Sequence, residues 1–413
     1  MRSIFRFSCA AILSVLPFAV IASAQTPYQL GSSGPVSNLA AGSDYYAIEA
    51  WVPAGGTHGA PYLAAHPLNT PTQSGLVVGT ESGGTVTFGP YIGAPSLWNY
   101  ATGNDPSPIS VANDLQRLPA GSPILIGNST SPQAFVAGGQ EATTWQLSAD
   151  GTTLIPTAQG FISGSSANIS GLVGGTPGEG YAGSDSIRPS VITTPGNGQH
   201  LESGGPFGSG LAYDLNGGLT VGDVNFVATY WALQSDSTWL RQAPQLPVWS
   251  DGTGTITEVA GGLMGGFLYK ADIDDALPVI WNADGTINRI FDLPGYGVSE
   301  MIVDQGVVTT LLNSGTFGLH GGPSYLYGAG WSDARLYFGD LYPSLPTGVT
   351  GYIEDIASGG SQYALANYRN GSATWYGVTA VETSVSAVPE PSTLVMALLG
   401  MATAVLARCR KFV

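Results

Sequence analysis

A short apolar strand recurs along this chain at nearly constant spacing, and this period constrains the fold more than any other feature. The last residues of the seven instances are Gly79, Gly127, Gly174, Gly222, Lys270, Thr310 and Ala366. The differences between successive residue numbers are 48, 47, 48, 48, 40 and 56. A period of this length is typical of folds that repeat one supersecondary unit.

Each repeat also contains a second strand, and most of these strands carry an aromatic residue. They contain Trp98, Trp145, Val191, Trp249, Trp281, Tyr325 and Trp375. Asp-Gly or Asn-Gly pairs follow several of them, at residues 150–151, 197–198, 251–252 and 284–285. Such pairs favour two-residue hairpin turns, because both central residues need positive φ. A repeat of about 48 residues has room for four short strands, which is the content of one propeller blade.

The sequence therefore predicts an all-β fold, a β-propeller of about seven blades over residues 25–387. The tryptophans at equivalent repeat positions are expected to be buried between blades. They are Trp98, Trp145, Trp249, Trp281 and Trp375. A β-solenoid is less compatible with so long a period, and two β-sandwiches are less compatible with its regularity. The glycine content, 59 of 413 residues, suits short strands joined by many turns.

The charge balance argues against nucleic acid as a partner. Between the two termini, 27 acidic residues stand against 7 basic residues, and a surface of that sign repels a phosphate backbone. Both cysteines, Cys9 and Cys409, lie in the terminal segments. A disulfide and a cysteine-ligated zinc are therefore excluded in the region between the two terminal segments. The four histidines are scattered and predict no metal site.

The N-terminal segment, residues 1–24, has the three parts of a secretory signal peptide. Arg2 and Arg6 form a positive region, residues 7–21 are apolar, and Ala22 and Ala24 match an A-x-A cleavage site. We therefore expect export through the Sec pathway, with cleavage near Ala24.

The C-terminal segment, residues 388–413, also has three parts. The first consists of Val388, Pro389, Glu390, Pro391 and Ser392, and its prolines make it stiff and extended. Residues 393–407 carry no charge, and as a single helix they would span roughly 22 Å, short of a hydrocarbon core of ~30 Å. The basic residues Arg408, Arg410 and Lys411 follow and are expected to stay in the cytoplasm. The segment is either an ordinary tail anchor or a temporary, removable stop.

This C-terminal segment resembles the PEP-CTERM sorting signal of Gram-negative bacteria, because V-P-E-P-S, the apolar run and R-C-R-K occur in the same order. The resemblance implies that an exosortase recognises Pro389, Glu390 and Pro391 and processes the protein on its way to the surface. It also implies anchoring in the inner membrane through the C-terminal helix before processing, and a link to exopolysaccharide and biofilm. The middle region is similar to HAF-type extracellular repeats, although the HAF triplet itself is absent.

One tight acidic cluster, in KADIDDALP, is a candidate for a metal site or an acid–base pair. Asp272 and Asp274 are expected on one face of a strand and Asp275 on the other. Their oxygens could bind Ca²⁺, or supply an acid and a base for cleaving sugars. The alternative is a solvated connection before the strand PVIW at residues 278–281. No other cofactor is indicated.

The segment from Gly222 to Trp249 is longer than the corresponding segments of the first three repeats, for example Gly127 to Trp145. We interpret the excess as an insertion, and insertions in repeat folds usually emerge on one face. Its candidate ligand-binding residues are Tyr230, Trp231, Trp239 and Arg241. The rings suit sugar faces, and the guanidinium suits an acidic group. The alternative is that residues 227–233 form an ordinary blade strand with Trp231 buried.

These features predict an exported protein of the cell surface or extracellular matrix, a non-enzymatic module that binds or scaffolds exopolysaccharide. The alternative is a secreted carbohydrate-active enzyme of propeller fold, a hydrolase or lyase, with the cluster at residues 272–275 as its carboxylates. The two differ in whether a second catalytic group faces the same funnel of the propeller.

Overall fold

The computed structural model describes most of the chain between residues 43 and 381. The described residues are 43–52, 60–67, 73–82, 85–103, 109–118, 121–132, 140–160, 172–185, 188–193, 198–203, 209–304, 306–314, 324–327, 350–359, 362–370 and 373–381. The predicted signal peptide at 1–24 and the C-terminal segment at 388–413 lie outside them. Within the described residues, no helix has the length and apolar character needed to cross a membrane.

The described strands form antiparallel sheets, each built from strands that are consecutive in the chain. The first sheet contains β1 (Ser43–Trp51), β2 (Ala60–Pro67), β3 (Gly75–Ser82), β4 (Thr85–Phe88) and β5 (Ile92–Gly93). The second contains β6 (Ser110–Arg117), β7 (Pro123–Thr130), β8 (Gln140–Leu147) and β9 (Leu154–Gly160). The third contains β10 (Leu172–Thr176), β11 (Gly180–Asp185), β12 (Arg188–Ile192) and β13 (Gly198–His200). The fourth contains β14 (Gly210–Asn216), β15 (Leu219–Val224), β16 (Val227–Leu233) and β17 (Trp239–Gln242).

Three more sheets complete the described part of the chain. The fifth contains β18 (Gly254–Ala260), β19 (Leu263–Lys270), β20 (Asp275–Asn282) and β21 (Ile287–Ile290). The sixth contains β22 (Gly297–Asp304), β23 (Val307–Asn313) and β24 (Tyr325–Tyr327). The seventh contains β25 (Thr350–Ser358), β26 (Gln362–Asn370) and β27 (Ala373–Val381). One short helix, α1 (Leu97–Thr102), follows β5; Ser96 caps its N terminus and Gly103 its C terminus.

The first strand of each sheet packs against the first strand of the next sheet, and β25 of the last sheet packs against β1. Strands arranged in this way surround a central channel, as in a β-propeller. The predicted all-β propeller is therefore confirmed. Five sheets have the four or five strands of a full blade, but the last two have three strands within the described residues. Seven complete blades thus remain a prediction.

Each first strand carries a β-bulge, which places one extra residue opposite its partner strand. In β6 the bulge lies between Ala112 and Asp114, and the other six first strands have the same register shift. A bulge bends its strand and redirects the following side chain. In these strands, the residue after the bulge faces the channel.

Two glycines of the sequence repeat, Gly127 and Gly222, have their physical reason at this bulge, and Gly266 of the fifth sheet shares it. In the second strands, Gly127, Gly222 and Gly266 pair directly with the residue before the bulge. A Cβ at any of the three would collide with a backbone carbonyl oxygen of the bulged strand, for example that of Val111 at Gly127. Glycine is needed here because the two backbones approach so closely.

We expect Gly127→Ala and Gly222→Ala each to lower the free energy of unfolding by about 1–3 kcal/mol, because the added methyl group must push two strands apart. Gly89→Ala is the matched control, since a Cβ there would meet only the carbonyl oxygen of Val78 at 3.6 Å. Urea unfolding of the three variants measures the difference. Equal stability of all three would contradict the role assigned to the bulge.

The repeat period is less regular in the structure than in the sequence pattern. Gly79 lies in the third strand β3 and Gly174 in the first strand β10, so the glycine series does not follow one blade position. The position after the bulge recurs at unequal intervals, of which the shortest runs from Gly174 to Asp214 and the longest from Ala47 to Asp114. The regular period of the sequence pattern therefore conceals connections of unequal length.

The buried tryptophans occupy the third strands. Trp145, Trp231 and Trp281 are fully buried, and each indole N–H donates to a carbonyl of the connection that leads into its own sheet: Pro95 at 2.7 Å, Glu202 at 3.0 Å and Gln245 at 3.0 Å. The prediction of burial is confirmed for Trp145 and Trp281.

Burial was wrongly predicted for two of the five repeat tryptophans. Trp98 lies half-buried on α1, and Trp249 lies half-buried in the connection between β17 and β18. Trp375 lies in β27, but its side chain is outside the described residues. The residue that actually matches Trp145 and Trp281 is Trp231, since all three occupy third strands.

Hairpin turns between third and fourth strands share an Asp-x-Thr pattern. The threonine backbone N–H donates to the aspartate carboxylate from Thr152 to Asp150 at 3.2 Å, and from Thr286 to Asp284 at 2.9 Å. The predicted hairpins at 150–151 and 284–285 are therefore confirmed. Asp251-Gly252 instead lies in the connection that leads to β18, and Asn197 lies outside the described residues.

Candidate functional site

Two cavities lie in the middle of the ring, and the first strands supply almost all of their walls. The smaller cavity, about 220 Å³, is lined by residues at and after the bulges of these strands. The larger, about 380 Å³, is lined by residues at and around the bulges, together with Asn313 of β23. They are consecutive sections of one central channel, because both are bounded by Asp114, Asp214, Glu258, Glu300 and Asp355.

These five acidic residues all occupy the same structural position, immediately after the bulge. In the other two first strands that position is held by Ala47 and Gly174. The bulge therefore brings one carboxylate from each of five sheets to the same level of the channel. Glu49, two residues further along β1, adds a sixth carboxylate to the wall of the smaller cavity.

Two of the aspartates connect neighbouring sheets. Asp214 accepts hydrogen bonds from the backbone N–H of Leu215 at 2.7 Å and of Val259, in the next first strand, at 3.0 Å. Asp355 likewise accepts from its neighbour Ile356 at 2.7 Å and from Ile48 of β1 at 2.7 Å. The second bond joins the last sheet to the first, and so helps to close the ring.

The two glutamates differ from the aspartates. Within the described residues, the carboxylates of Glu258 and Glu300 take part in no hydrogen bond or ion pair, although both residues are half-buried on the channel wall deep inside the ring. Burying an ionised carboxylate without a partner is unfavourable. Their oxygens are therefore the groups on this wall that are available to a ligand.

Only one cation, Arg117, lines either cavity among the described residues. Its guanidinium donates to the carbonyl oxygens of Ala50 at 2.8 Å and Ser358 at 3.0 Å. It thus ties together the first, second and last sheets. Its charge also lowers the pKa of Glu49, but burial has the larger effect and raises that pKa to about 7.

Burial raises the pKa of each of the five carboxyl groups that follow a bulge, a position in the channel that we call the post-bulge level. The pKa rises to about 6 for Asp214, about 7 for Asp114 and about 8 for Asp355, where backbone hydrogen bonds partly oppose the effect. The pKa values of Glu258 and Glu300 lie well above the ordinary range, because burial and repulsion from the other channel carboxylates act in the same direction. The channel therefore loses protons over a pH range that includes neutrality.

We expect the protein to become less stable as pH rises from about 5 to about 8. The folded state binds these protons more tightly than the unfolded chain, whose carboxyl pKa values are near 4, so stability falls as pH rises through the raised values. Melting temperatures across this range measure the slope. Replacing both Glu258 and Glu300 by glutamine should flatten the slope, whereas the exposed Glu202→Gln should leave it unchanged. A melting temperature that rises with pH would contradict the assignment.

The residues predicted as a ligand-binding insertion lie in ordinary blade strands. Trp231 and Tyr230 are in β16 and are buried, so neither presents a flat face to solvent. Trp239 and Arg241 are half-buried in β17, the outermost strand of its sheet, away from the channel. The structure thus follows the alternative in which residues 227–233 form a blade strand.

The turn before β16 is hard to recognise in the sequence, and for this reason the sequence pattern predicts an insertion. Asn225 and Phe226 form it with φ values of 54° and 62°, and a phenylalanine in that conformation is uncommon. Without a glycine, the turn lacks the strongest sequence signal for a hairpin between β15 and β16. The sequence pattern therefore places Trp249 at the repeat position that Trp231 occupies in the structure.

The acidic cluster at residues 272–275 lies away from the channel, at the hairpin between β19 and β20. Asp272 and Asp274 lie in the turn rather than on one strand face, because the chain reverses at residues 271–274. Asp272 lies 3.5 Å from the ammonium group of Lys270, and Asp274 accepts a hydrogen bond from the hydroxyl of Tyr269. Asp275 begins β20 and accepts from the N–H of Ala276. No metal-binding group of three or more His, Cys, Asp or Glu residues occurs in the described part of the chain.

The channel carboxylates were missed, although the sequence carries a signal for them. Five tetrapeptides have the pattern apolar–x–acid–apolar: ANDL, AYDL, ITEV, VSEM and IEDI, which begin at residues 112, 212, 256, 298 and 353. If the strand were regular, an acid flanked by apolar residues would be interpreted as part of a solvent-exposed polar face. Only the bulge reveals that the acids point into the ring.

Comparison with known proteins adds the identity of the C-terminal segment. Residues 387–411 match the family model of the PEP-CTERM protein-sorting motif. Such a motif implies export, anchoring through the C-terminal region and processing by exosortase in Gram-negative bacteria. A search of curated protein sequences finds no match.

Several solved structures are similar to this chain at very low identity. One is a catalytically inactive virginiamycin B lyase from Staphylococcus aureus with quinupristin, at 11% identity and a TM-score of 0.46, covering 86% of this chain and 98% of that chain. Another is the sialidase of Trypanosoma rangeli with the inhibitor DANA, at 10% identity and a TM-score of 0.36, covering 73% of this chain and 56% of that chain. From its own sheet topology and its motif, the chain is a β-propeller that carries, at residues 387–411, the PEP-CTERM sorting motif of exosortase-processed surface proteins.

Proposed function

We propose that the protein is a surface or matrix component whose propeller binds or scaffolds exopolysaccharide without cleaving it, with the central channel as its ligand site. The observation that carries this proposal is the channel wall, where Glu258 and Glu300 offer carboxylates without partners among the described residues. A concave site with a few converging polar groups is the usual form of a ligand site. The sorting motif supports a partner outside the cell.

The chemistry of the channel restricts the ligand. Six carboxylates line the smaller cavity, and Arg117, the single cation there among the described residues, is already bound to two carbonyl oxygens. An acidic polysaccharide would be repelled from such a wall. The ligand segment that enters the channel is therefore neutral or positively charged.

The structural use of the aspartates supports binding over catalysis. In Asp214 and Asp355 both carboxylate oxygens accept hydrogen bonds from the backbone. A carboxyl group held in this way is poorly placed to exchange protons with a substrate, because it would first have to give up those bonds.

The second candidate is a carbohydrate-active enzyme, and one observation favours it. Glu258 and Glu300 have raised pKa values and lie in the same channel, as the acid and base of a glycosidase must. These two residues replace the cluster at 272–275 as candidate catalytic groups.

The proposal also includes the finer features of the chain. It assigns a signal peptide to residues 1–24, cleaved after Ala22-Ser23-Ala24. It assigns a membrane helix to residues 393–407, which lie between the motif at residues 388–392 and the basic residues Arg408, Arg410 and Lys411. It takes the ring to have about seven blades, which is supported by the contact of β25 with β1. A role in biofilm is part of the same proposal.

We expect protein recovered from outside the cell to lack residues 1–24 and the tail after Val388, because both segments are sorting signals that are removed during export. Intact-mass measurement tests this. Replacing Glu390 by alanine should leave the chain in the membrane fraction with its tail, while Glu202→Gln should be processed normally. A soluble extracellular protein that retains residues 1–24 and 393–413 would contradict the proposal.

We expect the purified protein to co-sediment with exopolysaccharide from its own cells and to release no new reducing ends. Replacing Glu258 and Glu300 together by glutamine should weaken retention, while Glu202→Gln should not. If neither variant loses retention, the channel is not the site that binds the exopolysaccharide. Release of reducing ends that stops in the Glu258→Gln, Glu300→Gln variant would favour the enzyme.

A further inference from the structure

The post-bulge level of the channel concentrates carboxyl groups whose negative charge grows as pH rises and is not neutralised by the described residues. Five sheets each place one carboxylate there, and both cavities meet at that level. Arg117, the only lining cation among the described residues, lines the smaller cavity and lowers the pKa of Glu49. Low-dielectric walls around charges of one sign focus the field and attract ions of the opposite sign.

The two glutamates point to a ligand independently of the charge count. Each aspartate of the level accepts at least one hydrogen bond from the protein, but Glu258 and Glu300 accept none within the described residues. Neighbouring sheets carry them, on β18 and β22, and they face the same channel. Two adjacent unpaired carboxylates of this kind fit the two or more charged donors of a cation.

A bare metal ion does not fit this arrangement. No three of the described His, Cys, Asp or Glu residues are grouped closely enough to hold one metal ion, whereas Ca²⁺ needs six to eight oxygen ligands at roughly 2.3–2.6 Å. The negative charge is instead spread around and along the wall. An extended cation with several charges can follow such a wall.

The larger cavity adds aromatic surface. Tyr46, Tyr213 and Tyr352 line it together with the five carboxylates. Aromatic faces attract ammonium groups and pack against carbon–hydrogen surfaces. Carboxylates and tyrosines together favour an organic cation over a hydrated inorganic one.

We propose that the channel binds an extended organic cation with primary ammonium groups, and that Glu258 and Glu300 are its anchors. This deepens the proposed function and rests on the channel being its ligand site. Such a chain could be a saccharide with free amino groups or a linear polyamine. Both share ammonium groups spaced along a flexible carbon backbone.

Binding of a cation here is coupled to proton release. The titratable groups that face the channel are Glu49, Asp114, Arg117, Asp214, Glu258, Glu300, Glu354 and Asp355, with the tyrosines Tyr46, Tyr213 and Tyr352. A bound cation favours the ionised form of each carboxyl group. Binding therefore strengthens as pH rises, as long as the ligand keeps its own charge.

The test is calorimetric titration of the purified full chain with three probes: spermidine, a tetramer of glucosamine, and the matched tetramer of N-acetylglucosamine. The acetylated tetramer has the same sugar rings but no ammonium groups. We expect the two amines to bind and the acetylated tetramer not to bind. Spermidine should bind more tightly at about pH 7.5 than at about pH 5.5, and less tightly at high salt.

The Glu258→Gln, Glu300→Gln variant should weaken amine binding at least tenfold, whereas Glu202→Gln, which removes one charge from an exposed site, should not. The double variant is expected to fold, because it removes two unpaired carboxylates from the channel; melting temperatures check this. If it does not fold, comparison of the amine and acetylated tetramers on the parent protein decides the question. Equal binding of all three probes, no amine binding, or equal weakening by Glu202→Gln would overturn the proposal.

The two proposals fail in different ways. If the amines do not bind but exopolysaccharide is retained, the ammonium inference is wrong and the binding function stands. If the amines bind through Glu258 and Glu300 but exopolysaccharide is not retained, the ammonium site stands and its assignment to a polysaccharide is wrong. Spermidine binding without binding of the glucosamine tetramer assigns the site to polyamines, within the same proposal.

Discussion

The close contact between a bulged first strand and a glycine in the second strand governs much of this propeller. The bulge adds one residue to the strand, and glycine allows the partner backbone to approach where a Cβ would collide, as at Gly127, Gly222 and Gly266. The same bulge turns the next side chain toward the channel. One local backbone feature thus explains the repeat glycines Gly127 and Gly222 and the ring of acids in the structure.

The acids of the ring differ in their hydrogen bonds to the protein. Asp214 and Asp355 accept backbone N–H groups from the next sheet, so their charge is balanced by hydrogen bonds across the ring. Glu258 and Glu300, one methylene longer, have no such bonds within the described residues. Because burying an unpaired charge is unfavourable, the pKa values of these two groups are raised, and the proposed cationic ligand would pair with their ionised form.

Polar side chains between sheets help to close the ring, together with the apolar cluster in which Ile48 of the first sheet packs with Tyr363 and Leu365 of the last. Asp355 bonds Ile48, and Arg117 bonds the carbonyl oxygens of Ala50 and Ser358, so three sheets meet around two side chains. Asn113 and Asn313 add similar bonds, donating to the carbonyl oxygens of Leu172 and Ile353 in the next first strand. A channel built by these contacts keeps its lining in place while remaining open to a ligand.

The sequence by itself determined the all-β propeller and the sorting motif, since strand periodicity, glycine spacing and a linear motif are local properties of the chain. It also identified Trp145 and Trp281 as buried. It placed Trp249 at the repeat position that Trp231 occupies in the structure, because the turn at Asn225 and Phe226 carries no glycine. The acids at the post-bulge position are spread along most of the chain, from Asp114 in the second sheet to Asp355 in the last. Only the tertiary structure brought them together, because a bulge and the closure of the ring depend on contacts between strands that no linear pattern records.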